Sequence, residues 1–267
     1  MTALVRRVQV GVFASLEAQP AAETGAPVLF VHGFTGSKED ATPVLERCAA
    51  AGHRALAYDQ RGMYETPGPQ SPSAYSLDAW AADIVTVAHA WAGRPVHLIG
   101  HSFGGYVARA AVLADPAAFA SVVLLDTGRG PTVAASDMGR AEFLRALRAG
   151  GPAAVWTDDP GASAARAALM RERFFATEPA ALTAAGIVLA DPPPMVAALA
   201  ATGVPALVVY GSGENLWPRA ELDGMARELG RDPVVIAGAG HSPNQDEPDA
   251  LVEELLTFWR EAVSTGR

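Results

Sequence analysis

The strongest constraint on this chain is a recurring couplet: a short β-branched apolar run stopped by a turn, then a helix-length stretch. Residues 27–31 read PVLFV and end at His32-Gly33, and residues 53–58 read HRALAY and close on Asp59-Gln60-Arg61-Gly62. Further runs lie at 95–99, 119–125, 205–210 and 233–236. Apolar runs of this length, lacking the alternation of a half-exposed strand, suit strands buried on both faces. The helical partners fall at 38–51, 77–92, 103–114, 219–229 and 248–263; Ser76 is a candidate N-cap of the second and Gly93 its stop. Such alternation predicts an α/β fold, a mostly parallel sheet with helices on both faces. Residues 4–17 alternate about Gly11 and predict two more strands joined by a tight turn.

One stretch breaks the rhythm. Residues 128–201 hold no convincing strand, are rich in Ala, Arg and Leu, and are punctuated by Gly150-Gly151-Pro152 and Asp191-Pro192-Pro193-Pro194. We expect short helices inserted between two sheet strands as a cap, or lid, over a pocket at the strand ends. The expected division is a core of 1–127 and 202–267 with a cap of 128–201.

Composition narrows the partners. Half of the residues are hydrophobic, enough for a substantial core, and the formal net charge is −9. A chain without a basic field is poorly suited to nucleic acid or an anionic membrane. The single cysteine, Cys48, excludes an intrachain disulfide and a thiolate metal site, and is expected in the core. Residues 1–20 lack the apolar segment of a secretory signal, and no run is long enough to span a bilayer. The expectation is a cytoplasmic protein acting on a small molecule, with no nucleic-acid or membrane partner. Oligomeric state has no signal here.

Gly100-His101-Ser102-Phe103-Gly104 follows a predicted strand and opens a predicted helix. A serine on so sharp a turn is lifted above the strand ends, and the flanking glycines admit neighbouring backbone. Ser102 is therefore the candidate nucleophile, and a hydroxyl needs a base to take its proton. Of six histidines, His241 follows the last predicted strand within Ala237-Gly238-Ala239-Gly240, where small residues leave room for a ring. His32, His53, His89, His97 and His101 are expected to be structural. The oxyanion calls for two preorganised N–H donors. The backbone of Phe103 offers one, and that of Phe34 the other, with Gly33 turning the chain. The side chains of Phe34 and Phe103 are then expected to shape the acyl pocket.

Together these marks resemble the α/β-hydrolase fold family: His-Gly-Phe at 32–34, Asp-x-Arg-Gly at 59–62, Gly-His-Ser-Phe-Gly-Gly at 100–105 and Gly-x-Gly-His at 238–241. They occur in family order and leave only 128–201 without a motif. The resemblance implies an eight-stranded, mostly parallel sheet whose second strand is antiparallel, with a helical cap. It implies hydrolysis of a small ester, thioester or lactone through an acyl-enzyme, without metal or organic cofactor. C–C bond hydrolases and cofactor-free haloperoxidases share these residues, and a non-catalytic ligand-binding protein is the alternative outside the enzymes. Relatives that open epoxides or remove halide use Asp where this chain has Ser102.

The acid that orients His241 has two answers. The family's usual place, after the strand that follows the cap, reads Gly211-Ser212-Gly213-Glu214, one methylene longer than the usual Asp. Other members carry the acid at the end of the strand before the cap, where Asp126 stands. Asp59-Gln60-Arg61-Gly62 is expected to organise a loop near the site, although its continuation, Met63-Tyr64-Glu65-Thr66, departs from the family's. Arg171 and Arg173 read as a solvated helix face or as a clamp for an anionic substrate. Trp217 and Trp156 are candidates for the pocket wall or for ordinary core.

Overall fold

A computed structural model describes residues 4–131, 139–157 and 163–265. Among these, eight strands form one sheet in the order β1-β2-β4-β3-β5-β6-β7-β8. The strands are β1 (Val5–Val10), β2 (Phe13–Ala18), β3 (Val28–Val31), β4 (Ala55–Tyr58), β5 (Val96–His101), β6 (Phe119–Leu125), β7 (Ala206–Gly211) and β8 (Val234–Ile236). Strand β2 runs antiparallel to both neighbours, and every pair from β4 to β8 is parallel. The β1–β2 hairpin pivots on Gly11 at φ 58, a positive angle that glycine adopts without steric cost.

The central strands are buried on both faces, and the pleat sorts their side chains. Leu29 and Val31 join one apolar cluster with Leu98 and Leu124; Val28 and Phe30 join the other with Ile99 and Val209. The first face is covered by α2 (Leu77–Ala92) and α3 (Phe103–Ala114), the second by α1 (Thr42–Ala50) and the C-terminal α10 (Pro248–Thr265). Helix α2 starts where Ser76 Oγ accepts from the Ala79 N–H at 3.1 Å and stops at Gly93, φ 65. Cys48 is fully buried on α1.

Between β6 and β7 the described residues hold no strand. They form α4 (Gly139–Gly150), α5 (Ala164–Ala176), α6 (Pro179–Ala190) and α7 (Val196–Ala201). Two helices follow β7 and β8: α8 (Arg219–Glu228) and the one-turn α9 (Pro243–Asp246). No described helix is long and apolar enough to cross a membrane. Because the strands are parallel, their C-terminal ends share one edge. The loops after β3, β5, β6, β7 and β8 meet there.

Candidate active site

Ser102 is the single residue between β5 and α3, at φ 52 and ψ −118. Its N–H donates to Leu125 O at 2.9 Å, continuing the β5–β6 ladder, and its carbonyl accepts from Gly105 N–H at 2.9 Å. Held from both sides, it occupies a backbone region that costs an L-residue energy. The tightness of this turn explains its glycines. A Cβ on Gly100 would lie 2.5 Å from Gly104 O, and one on Gly104 would lie 2.4 Å from Val31 O. A side chain at either position forces α3 off the sheet.

The loop after β3 lies over Ser102. A Cβ on Gly33 would stand 3.1 Å from the serine Cβ. His32 fastens this loop: Nδ1–H donates to Gly33 O at 2.9 Å, and Nε2 accepts the Gln60 N–H at 3.1 Å. A backbone N–H can only donate, so the tautomer is set. Burial lowers the His32 pKa to about 4, keeping the ring neutral. Gln60 Nε2–H returns a bond to His32 O at 2.9 Å. Asp59 accepts from both the backbone N–H and the ammonium of Lys38, at 2.8 and 2.7 Å. The segment 59–62 thus organises the loop beside Ser102.

His241 lies in the loop after β8. Its Nδ1–H donates to Glu214 Oε2 at 2.5 Å, and the other glutamate oxygen accepts the Leu216 N–H. From β5, His101 Nε2–H donates to the carbonyl of His241 at 2.8 Å, with the two rings 5.1 Å apart. Burial, with His241 adjacent, lowers the His101 pKa to about 4. His101, given a structural role by the sequence, ties β5 to the imidazole loop. Among the described residues no hydrogen bond joins the Ser102 hydroxyl to His241.

Asp126 follows β6 at φ 42 and is fully buried. Its Oδ1 accepts the Gly211 N–H at 3.0 Å, so the carboxylate touching the imidazole is Glu214 and Asp126 stands behind it. One oxygen of each acid and a nitrogen of His241 lie within 4.8 Å of one another. These are also cation-binding donor types, but a bridging ion needs about 2 Å on each side. The 2.5 Å contact between Nδ1 and Oε2 leaves no room for one.

A model of the alpha/beta hydrolase family matches residues 28–254. The chain belongs to that family. A curated relative, the "Putative carbamate hydrolase RutD" of Variovorax paradoxus (strain S110), is 37% identical over 107 residues. That match spans 40% of this chain and 40% of the relative, so much of both lies outside it. Among solved structures, a thermophilic esterase from Thermogutta terrifontis superposes with TM-score 0.75 at 23% identity, covering 97% of this chain and 99% of the other. A structure from work on carboxylesterases of the thaumarchaeon Nitrososphaera gargenis gives TM-score 0.77 at 17% identity, covering 98% and 100%. At such identities the likeness is one of fold.

In this alpha/beta hydrolase the two phenylalanines whose amides are expected to receive the oxyanion pack differently. Phe103 is fully buried in the core, its ring 5.1 Å from Trp80 in edge-to-face contact. Phe34 is half-buried and packs both on that main core and on the smaller apolar cluster of Leu147, Phe174 and Leu182, against which Trp156 also packs. The Phe103 side chain, expected at the acyl pocket, serves the core instead. Trp217 is 1% exposed, donates from Nε1 to Gly130 O at 3.0 Å, and lies 5.8 Å from the His241 ring. It packs the imidazole loop.

Arg173 also differs from both sequence readings. It is buried, and Nη1 donates to Asp40 Oδ1 at 2.6 Å, joining α5 to the loop after β3. It is neither a solvated face nor a free anion clamp. Nearby, the Glu178 N–H donates to Gly62 O at 2.8 Å and Tyr64 OH to Glu172 at 2.9 Å. Arg171 stacks on the Phe175 ring at 4.8 Å.

Proposed function

We propose that this protein is a serine hydrolase that cleaves a small ester, thioester or lactone through an acyl-enzyme on Ser102. The reading rests on one observation. A serine at positive φ on a strand-to-helix turn shares a sheet edge with an imidazole whose Nδ1 is already bonded to a carboxylate. With Nδ1–H committed to Glu214, Nε2 carries the free lone pair that a general base needs.

Ser102 Oγ attacks the substrate carbonyl while His241 Nε2 takes its proton, and Glu214 steadies the imidazolium. The oxyanion is received by backbone N–H groups of Phe103, the first amide of α3, and of Phe34. Collapse expels the alcohol, thiol or lactone oxygen with the proton from His241. Water, deprotonated by the same imidazole, then releases the acid and restores Ser102. No step calls on a metal or an organic cofactor. Esterase and carbamate hydrolase names among the proteins to which this chain is similar agree with such acyl chemistry. The helices between β6 and β7 act as a cap, with Phe34, Phe174 and Leu182 offering the acyl chain an apolar wall. The buried Cys48 and the acidic charge suit a cytoplasmic setting, with a small molecule as the partner.

The test is hydrolysis of nitrophenyl esters, thioesters and lactones of graded acyl length by the wild type and by Ser102→Ala. Turnover lost in the variant supports the reading. Turnover that survives it, or none toward any carbonyl substrate, refutes it.

A further inference from the structure

The two acids behind His241 carry an inference that deepens the proposed function and rests on it. Asp126 and Glu214 face each other in a buried place with one imidazole between them and solvent, and among the described residues neither forms an ion pair with Lys or Arg. The groups around Asp126 are Glu214 after β7, His241 after β8 and Asp246 from α9, while His101, on β5, faces His241, Glu214 and Asp40. Two of the groups around Asp126 are acids, and burial holds His101 neutral. One imidazolium cannot compensate two adjacent buried carboxylates, so one must keep its proton.

The hydrogen bonds say which. Glu214 accepts from Nδ1–H of His241 with one oxygen and from the Leu216 N–H with the other, as an ionised carboxylate does. Asp126 Oδ1 accepts from Gly211 N–H, while Oδ2 is buried with no donor in reach. A carboxylate oxygen there is orphaned; a protonated one has an acceptor in Glu214. We propose that Asp126 is a neutral carboxylic acid whose O–H donates to Glu214, so that an acid–carboxylate pair positions His241. Burial, and then the hydrogen bond with Glu214, pushes the Asp126 pKa up to about 9. Burial opposes ionisation of Glu214, but the bonds from His241 and Asp126 prevail and hold its pKa down at about 2. Glutamate has one more rotatable bond than aspartate, and the second clamp removes that freedom. Asp126 never touches substrate and is a positioning residue.

The experiment compares Asp126→Asn, Asp126→Leu and Glu214→Gln. An asparagine amide donates to Glu214 while its carbonyl still accepts from Gly211, so Asp126→Asn should be the mildest. Its kcat should fall by less than about tenfold, against about 10⁴-fold for Glu214→Gln. Asp126→Leu should lose about ten- to hundredfold in kcat with KM little changed, the effect of one lost hydrogen bond to a charged group. The wild-type kcat should decline as Asp126 ionises near pH 9, and that limb should be absent from Asp126→Asn. Asp126→Asn as crippled as Glu214→Gln, or an unchanged alkaline limb, overturns the proposal. An infrared arm is independent of any activity. The folded wild type at neutral pH should show a protonated carboxyl band that Asp126→Asn lacks, and its absence overturns the proposal even if the hydrolase reading holds. A band present in a protein that Ser102→Ala shows to be no hydrolase would refute the functional reading alone.

Discussion

His101 Nε2–H donates to the backbone carbonyl of His241 at 2.8 Å, joining the residue before the proposed nucleophile to the residue proposed as its base. The two lie 140 positions apart, yet this bond bridges the end of β5 and the loop after β8. The donor is a buried neutral imidazole, so the tie does not come and go with pH in the neutral range.

Removing that tie should loosen the imidazole without removing it. His101→Ala should slow acylation by about tenfold, in keeping with the loss of one buried hydrogen bond. His101→Gln, which retains a donor, should recover part of the loss. Pre-steady-state bursts with a nitrophenyl ester measure this; equal rates in all three proteins contradict it.

Asp126 should leave a signature in stability. Its folded-state pKa is raised to about 9, whereas an unfolded aspartate titrates near about 4. Between these values the folded chain holds a proton that the unfolded chain releases. The stability it contributes is therefore full below about pH 4 and is lost as pH climbs toward 9. Asp126→Asn cannot titrate, so its stability relative to wild type should rise by about 1 kcal/mol per pH unit across that window. Urea midpoints at several pH values read the difference, and curves that stay parallel contradict it.

Lys38 is 1% exposed and bonds Asp59 and Glu65, each at 2.7 Å. Lys38→Met strands the fully buried Asp59 without its cation. A buried pair broken on one side loses about 3–5 kcal/mol, and denaturant unfolding should show a drop of that order. A change under about 1 kcal/mol would place the pair among exposed ones.

Arg173 and Asp40 should couple the cap helices to the core. Both side chains are about nine-tenths buried, at 8% and 11% exposure. Arg173→Met should raise KM and speed proteolysis between β6 and β7. The double variant with Asp40→Asn should be less damaged than the sum of the singles. Strict additivity in this cycle would remove the latch.

How much of this was legible in the sequence depended on whether its physical cause is local. Residues 27–31 and 95–99 could be read as buried strands because a strand covered on both faces must be apolar throughout. Ser102 was legible because its turn needs Gly100 and Gly104 for contacts the sequence pattern encodes directly. The choice between Asp126 and Glu214 was not, because β6 and β7 are neighbours and each ends beside the imidazole loop with a carboxyl. Chain order cannot say which one turns toward the ring. Burial of Arg173 was equally hidden, since its partner is 133 positions away and helix-face periodicity does not register it. The one-turn α9 is too short to have a period at all.

The most direct measurement is intact-mass and peptide mass spectrometry after treatment with a fluorophosphonate. One adduct per chain, located on Ser102 and formed far more slowly in His241→Ala, is the expected result. An unlabelled wild type, or an adduct that persists in Ser102→Ala, would contradict a nucleophile activated by this imidazole.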